Sequence, residues 1–408
     1  MPSGAPAREW KRGPESEYRV PSTVRIAFDI RRIADFGVGT YIRNVVRTLA
    51  TLDPANQYQL LGQAAHFRAL GSLPDNFSHL PYELAESSPR NLWEFPAALR
   101  RAGCDLVHVP HLTGMPQRVP CRYVVTVHDL LAYMVAAQSG SSWRRALNFR
   151  LTRRLLRRAA RVLAVSNFTK SEIARYFEVP AEKIEVVYNA IDERFQRGHA
   201  SDADRRFIAE RYQVQHPFLL YAGNIKPHKN VVRIIEAFSA LKGELAKEGK
   251  FQDLKLIIIG DELSQHPDLR RTVIRSGVQN DVRFLGFVPI EVLRIFYDAA
   301  KVFVFPSLYE GFGLPPLEAM AHGTPVVTSN SSSLPEVVGN AAVLVNPENV
   351  FEIRNALQRV LLDQELRERL KQRGYEQAER YSWELSARRI LQVYEEVGAK
   401  KKARAAAA

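Results

Sequence analysis

The sequence predicts an α/β protein of two Rossmann-like parallel-sheet domains facing across a cleft, and three observations predict it. The chain has 408 residues, too many for one ordinary hydrophobic core, so two domains are the default. Short apolar runs recur along it, separated by segments of helical spacing, which is the alternation of βαβ units. The motifs that look functional fall directly after those runs, where an open parallel sheet takes its ligand.

Taken in chain order, residues 1–22 read as a disordered leader, since "MPSGAPAREWKRGPESEYRV" is too polar for a signal peptide. Residues 23–195 form the first domain, with strands in "TVRIAFDI", "DLVHVP", "YVVTVHDL", "RVLAVSN" and "KIEVVYN". Residues 196–215, the polar end of "DERFQRGHASDADRRFIAERYQVQ", read as the linker. The second domain, 216–381, places strands in "FLLYAGN", "LKLIIIG", "VRFLGF", "KVFVFPS", "TPVVTS" and "AAVLVNP". Helical patterns such as "NVVRIIEAFSALK" and "PIEVLRIFYDAA" lie between them. A last helix at 382–397 precedes a basic tail, 398–408, read as disordered.

Composition narrows the class. A hydrophobic content of 46% with 25% charged residues is that of a soluble globular protein. No apolar run approaches the length that spans a bilayer. Cys104 and Cys121 match neither metal-ligand spacing nor a disulfide framework, and the cytoplasm is the expected compartment. The net charge of +13 is uneven: residues 1–200 hold 28 Lys and Arg against 18 Asp and Glu, and the remainder 29 against 26. The first domain therefore expects an anionic partner, whether membrane surface, phosphorylated acceptor or nucleic acid.

The most informative stretch is "FVFPSLYEGFGLPPLEAMAHGTPVVTSN", residues 303–330. A buried strand runs into a turn carrying Glu310, and Pro315 and Pro316 suit the first turn of the helix that carries Glu318. Gly311 and Gly313, with Phe312 and Leu314 in the same turn, let backbone N–H groups approach an anion, and the helix N-terminus favours a phosphate. A carboxylate in that first turn also accepts hydrogen bonds from the paired hydroxyls of a ribose. Singly, each residue reads as an ordinary turn or a favourable helix-start acid; the whole spacing after a strand is what points to a ligand.

With Glu310 and Glu318 separated by seven intervening residues in "SLYEGFGLPPLEAMAHGTPVV", followed by "SSLPEVVGNAAVLVNP", the chain resembles glycosyltransferase family 4, the retaining nucleotide-sugar enzymes of GT-B fold. The first-domain segment "VSNFTKSEIARYFEVPAEKIEVVYNAID" resembles the same family, so the likeness covers about residues 24–396. It implies that Glu310 contacts the donor sugar, that Glu318 holds the ribose, and that the last helix crosses back to the first domain. It also implies an arginine and a lysine on the donor diphosphate. In "GNIKPHKN" Lys229 sits where the lysine is expected, but Asn224 stands where many members have arginine, and Lys226 or His228 is left to supply that interaction. The resemblance matches His128, at the end of "VVTVHD", to a strand-end histidine near the reacting sugar, with a role in donor positioning and transition-state stabilisation.

Other features carry less. Gly37 and Gly39 in "FGVGTY" would let the first domain approach a diphosphate or acceptor, and also read as an ordinary turn. Asp202 and Asp204 form an Asp-x-Asp pair of the kind that holds a metal diphosphate elsewhere, but they follow no strand and read as a solvated loop, so no metal is expected. In "SSWRRALNFRLTRRLLRRAARV" the helical period gathers Arg150, Arg154, Arg157 and Arg161 on one face, with Phe149, Leu155, Leu156 and Ala159 opposite. That face suits an anionic leaflet carrying a lipid-linked acceptor.

The expected protein is a cytoplasmic retaining hexosyltransferase without a cofactor, with peripheral attachment at the inner face of the membrane left open. It moves a sugar from a nucleotide donor, GDP-mannose by preference, to a glycan or lipid-linked acceptor in cell-surface polysaccharide synthesis. Front-side attack fits better than double displacement, because no carboxylate stands out as a covalent nucleophile. Two rivals remain: a catalytically silent sugar-nucleotide-binding subunit, which Asn224 in place of arginine makes conceivable, and a nucleic-acid-binding protein, against which the lack of an aromatic stacking motif argues.

Overall fold

The computed structural model describes residues 23–35, 37–112, 115–136, 142–196 and 200–406. The expected leader, 1–22, lies outside the described residues. The first domain is a seven-stranded parallel sheet of β1 (Arg25–Asp29), β2 (Gln57–Gly62), β3 (Phe77–Pro81), β4 (Leu106–Val109), β5 (Arg122–Val127), β6 (Arg161–Ala164) and β7 (Ile184–Val186). Its order is β3-β2-β1-β4-β5-β6-β7. The second holds β8 (Phe218–Ala222), β9 (Lys255–Ile259), β10 (Val282–Gly286), β11 (Val302–Phe305), β12 (Val326–Ser329) and β13 (Ala342–Val345), in the order β10-β9-β8-β11-β12-β13. Every residue of β8, β11 and β12 is buried, as expected where helices cover both faces of a parallel sheet.

The strand order reverses between β1 and β4 in one sheet and between β8 and β11 in the other. Side chains beyond the carboxyl ends of those strands therefore line the two crevices open to ligands. The sequence reading misses β2 and β3. In β2 polar and apolar residues mix, and β3 is a partly exposed edge strand ending in Pro81, so neither shows a continuous apolar run.

Three other expectations are corrected. The linker is not irregular throughout: Asp202–Arg211 is a helix begun by a capping box between Ser201 and Asp204, so the Asp-x-Asp pair sits in a first helical turn rather than a solvated loop. Arg205 pairs with Asp298, on the helix Ile290–Ala299, which ties this segment to the second domain. The last helix runs from Trp383 through Ala406, where a disordered tail was expected from 398, in keeping with the high helix propensity of Ala, Lys and Arg. The arginine helix, Ser142–Arg158, ends before Arg161, which opens β6 and pairs with Glu396 of the last helix at 2.8 Å. Arg161 thus does not belong to the exposed stripe of Arg150, Arg154 and Arg157. Leu155, Leu156 and Ala159 are buried as expected, but Phe149 is partly exposed and stacks on Phe177 at 4.9 Å.

The last helix lies against the first domain. Trp383 Nε1 donates to the Ile191 carbonyl at 3.0 Å, Ser386 Oγ to that of Tyr188 at 2.6 Å, and Arg389 pairs with Glu185 at 2.5 Å. Deeper in, Tyr394 Oη and His108 Nδ1 are 2.6 Å apart in the first-domain core.

Candidate active site

The second-domain crevice is built by the loops after β8 and β11. Asn230 adopts left-handed backbone, φ +63°, and its buried side-chain amide donates to the carbonyls of Pro306 and Pro347. Leu308 N and Ser307 Oγ both donate to the His228 carbonyl, at 2.7 and 3.0 Å. These bonds lock the two loops together and bring Lys229 to Glu310, with Nζ 2.6 Å from Oε1 and both side chains mostly buried. Lys229 Nζ also stands 5.2 Å from the Phe305 ring centre. Asn224 is partly buried and its carbonyl accepts the Tyr221 hydroxyl at 2.8 Å, while Lys226 is exposed. Burial and the neighbouring Lys229 charge lower the pKa of His228.

The glycine turn is fixed by packing. Gly313 caps the helix Leu314–Ala321 at φ +103°, a backbone conformation that favours glycine, and a Cβ there would meet Leu334 Cδ2 at 2.5 Å. A Cβ on Gly311 would stand 1.7 Å from the backbone oxygen of His128, so two domains meet main chain to main chain at this point. Ser332 and Ser333 hold the turn from behind, through Glu310 N and the carbonyls of Glu310 and Phe312. The Phe312 ring is buried against Tyr381 and Tyr188. Leu314 is the first residue of the helix and is partly buried. Glu318, one turn further, accepts the Tyr297 hydroxyl at 2.9 Å, and desolvation pushes its carboxyl up to about 7.

His128 follows β5 on the facing domain. Burial pulls its pKa down to about 4, so the ring is neutral. Nε2 lies 3.0 Å from the Pro110 carbonyl and must donate to it, which leaves Nδ1 as an acceptor. Gly39 is also required locally, because a Cβ would stand 2.3 Å from the Ile33 carbonyl, whereas Gly37 has open space. The exposed arginines sit on a separate helix with Trp143, Leu147 and Leu151, which are exposed too.

Sequence reasoning misses the contacts that join the domains. Ser166 caps the helix Asn167–Phe177, and its hydroxyl and that of Thr169 donate to the Gly311 carbonyl at 2.7 and 3.1 Å. Glu336, from the second domain, accepts the first N–H groups of that helix, Asn167 and Phe168, and the Tyr188 hydroxyl. Tyr309 Oη donates to Glu172 and accepts from Leu130 N. The Ser-x-x-Thr spacing at 166–169 signals a cap, but nothing in one sequence says that the cap serves a partner domain.

Comparison with known proteins adds an independent line. Residues 37–195 match the family model described as Glycosyltransferase Family 4, and residues 204–377 match Glycosyl transferases group 1. The chain is 34% identical over 298 residues to O-antigen chain mannosyltransferase B of Escherichia coli, covering 73% of this chain and 76% of that protein. Among solved structures, sucrose-phosphate synthase from Thermosynechococcus elongatus superposes with a TM-score of 0.73 at 21% identity, over 92% of this chain and all of that one. Anabaena HepE in complex with UDP and glucose gives a TM-score of 0.72 at 19% identity, over 91% of this chain and all of that one. These two share the fold.

Proposed function

The chain belongs to glycosyltransferase family 4, with the GT-B fold and mannosyltransferase relatives, and from that premise we propose that it moves mannose from GDP-mannose to a glycan or lipid-linked acceptor, with retention at the anomeric carbon. The observation that carries the reading is the Lys229–Glu310 pair at the β8–β11 crevice, on the turn whose Gly311 lies against His128. Each member of the pair exchanges its partner for a part of the donor. Lys229 turns to the diphosphate, whose negative charge grows as the glycosidic bond breaks, and Glu310 is released to accept hydroxyls of the sugar. Glu318 takes the ribose hydroxyls, and the neutral His128 accepts a hydrogen bond from the sugar at Nδ1.

In the transfer step the acceptor oxygen forms its bond to the anomeric carbon on the face from which the diphosphate leaves. The bond to the leaving oxygen breaks with both electrons going to the diphosphate. The acceptor proton passes to a leaving phosphate oxygen, so neither a protein nucleophile nor a protein base is used. The mannosyltransferase relatives support mannose, and the exposed Arg150, Arg154 and Arg157 support work at an anionic leaflet.

The test is incubation of the purified enzyme with GDP-mannose, UDP-glucose and other nucleotide sugars, each with a mannose-terminated oligosaccharide. Transfer is expected from GDP-mannose, with an α-linked product by NMR and no loss of activity in EDTA. A β-linked product overturns retention, and transfer confined to another donor overturns the sugar assignment.

A further inference from the structure

The first sheet has its own crevice, between β1 and β4, and the structure fills its edge with charge. Asp29 ends β1 with no solvent exposure and holds Arg31 in a fork, with Nη2 at 2.7 Å from Oδ2. Arg31 is further fixed by Asn91 and by the rings of Tyr82 and Phe95. His111, just beyond β4, places Nε2 3.5 Å from Asp29 and 2.8 Å from Glu86. Arg32 reaches Asp35 at 2.8 Å and the other oxygen of Glu86 at 3.4 Å. The inner members are closed off from water, whereas Glu86, Arg32 and Asp35 are 15%, 32% and 46% exposed. The cluster runs from a buried base to an open mouth.

Two facts place this mouth beside the reaction centre. The carboxyl end of β4 adjoins that of β5, where His128 lies against the donor turn, and the charges of His111 and Arg32 both act on His128. Both ring nitrogens of His111 and Oε1 of Glu86 are buried, and none of the three makes a hydrogen bond among the described residues, although Nε2 and Oε1 lie within ion-pair distance. Such atoms are costly to leave unpaired unless a ligand completes them.

We propose that Glu86, held by His111 and Arg32 at the β1–β4 crevice, is the acceptor subsite and takes the hydroxyls of an uncharged sugar. The proposal rests on the transferase reading above. Oε1 is buried against His111, so Oε2, on the Arg32 side of the carboxylate, accepts a hydrogen bond from a sugar hydroxyl, and an unpaired His111 nitrogen donates to a sugar oxygen. Burial disfavours the charged ring, but Asp29 and Glu86 outweigh it and raise the pKa of His111, which favours the form in which both ring nitrogens donate. The charges then balance: Arg31, Arg32 and His111 against Asp29, Asp35 and Glu86. No cation is left over for a phosphate, which would have to displace a carboxylate.

The experiment compares a neutral mannose-terminated oligosaccharide with its 6-phosphorylated form, using wild type, Glu86→Gln and Arg32→Gln. Wild type should prefer the neutral acceptor by tenfold or more in kcat/KM. Both variants should raise the neutral-acceptor KM at least tenfold more than the donor KM. An unchanged acceptor KM, a preference for the phosphorylated acceptor, or a lower melting temperature without the selective KM effect each overturns the subsite. Absence of transfer by wild type from every nucleotide sugar overturns the transferase reading and the subsite with it.

Discussion

Glu318 shows what a single desolvated carboxyl does to the molecule. Its pKa is raised from 4.5 to about 7 in the fold. Between those values the unfolded chain has released this proton and the folded chain has kept it, so stability falls as pH rises. The contribution is about 3 kcal/mol at the rate of 1.36 kcal/mol per pKa unit. Denaturant titrations at pH 5 and pH 7.5 should show this loss in the wild type, and Glu318→Gln should remove about that much of the slope. If Glu318 holds the ribose as proposed, a nucleotide should reverse the preference, because ribose hydroxyls donate to the charged form. Calorimetry in two buffers of different ionisation heat should detect proton release on nucleotide binding near pH 6.5, absent in Glu318→Gln. The neighbouring pair divides its work differently. Lys229→Ala should lower kcat by about 10²–10³, the scale seen when a donor to developing negative charge is removed. Glu310→Ala should abolish transfer with the melting temperature little changed.

At the scale of elements, what could be read in the sequence depended on whether chemistry and strand ends lay close along the chain. Glu310 and Lys229 lie in the loops that follow fully buried strands, and Glu318 in the helix that follows the first of these loops, so the stretches are visible as motifs. Asp29 ends β1, Glu86 follows β3 and His111 follows β4, and the three meet only when the sheet assembles. No local spacing announces them. The arginine helix was legible as an amphipathic pattern, but not its end: the strand that begins at Arg161 continues the same chemistry without the same geometry. Exchanging Arg150, Arg154 and Arg157 for glutamine should reduce co-sedimentation with anionic vesicles severalfold, with the wild-type binding weakening steeply above physiological salt, where screening acts over about 8 Å. Transfer to a soluble acceptor should stay unchanged. Equal sedimentation of the two proteins would make the helix face merely solvated.

At the scale of the whole molecule, the helix Asn167–Phe177 has its first N–H groups satisfied by Glu336 from the other domain. Separating the domains strips that acceptor from a helix terminus, which typically costs about 0.5–2 kcal/mol for a lost cap. Glu336→Ala should therefore shift the protein toward an open form, with a larger radius of gyration by small-angle scattering and a higher donor KM. An unchanged scattering profile would mean that the remaining contacts of Ser166, Thr169 and Tyr309 suffice to hold the domains.

The chain passes between the domains twice, once after β7 and once before the last helix, and the indole of Trp383 bonds to the carbonyl of Ile191 where the passages meet. Two strands fastened at one place act as a pivot. Any opening of the jaws is then a rotation about that point, and displacement grows with distance along the sheet. β1 is four strands from β7, which at about 4.8 Å per strand is about 19 Å, so a swing of about 10° moves it by about 3 Å. At β5, two strands from β7, the same swing gives only about half of that. The far jaw, with Glu86 and Arg32, would therefore gape wider than the His128–Gly311 clasp, so that the proposed acceptor subsite would open on the side away from the pivot while the donor turn scarcely stirs.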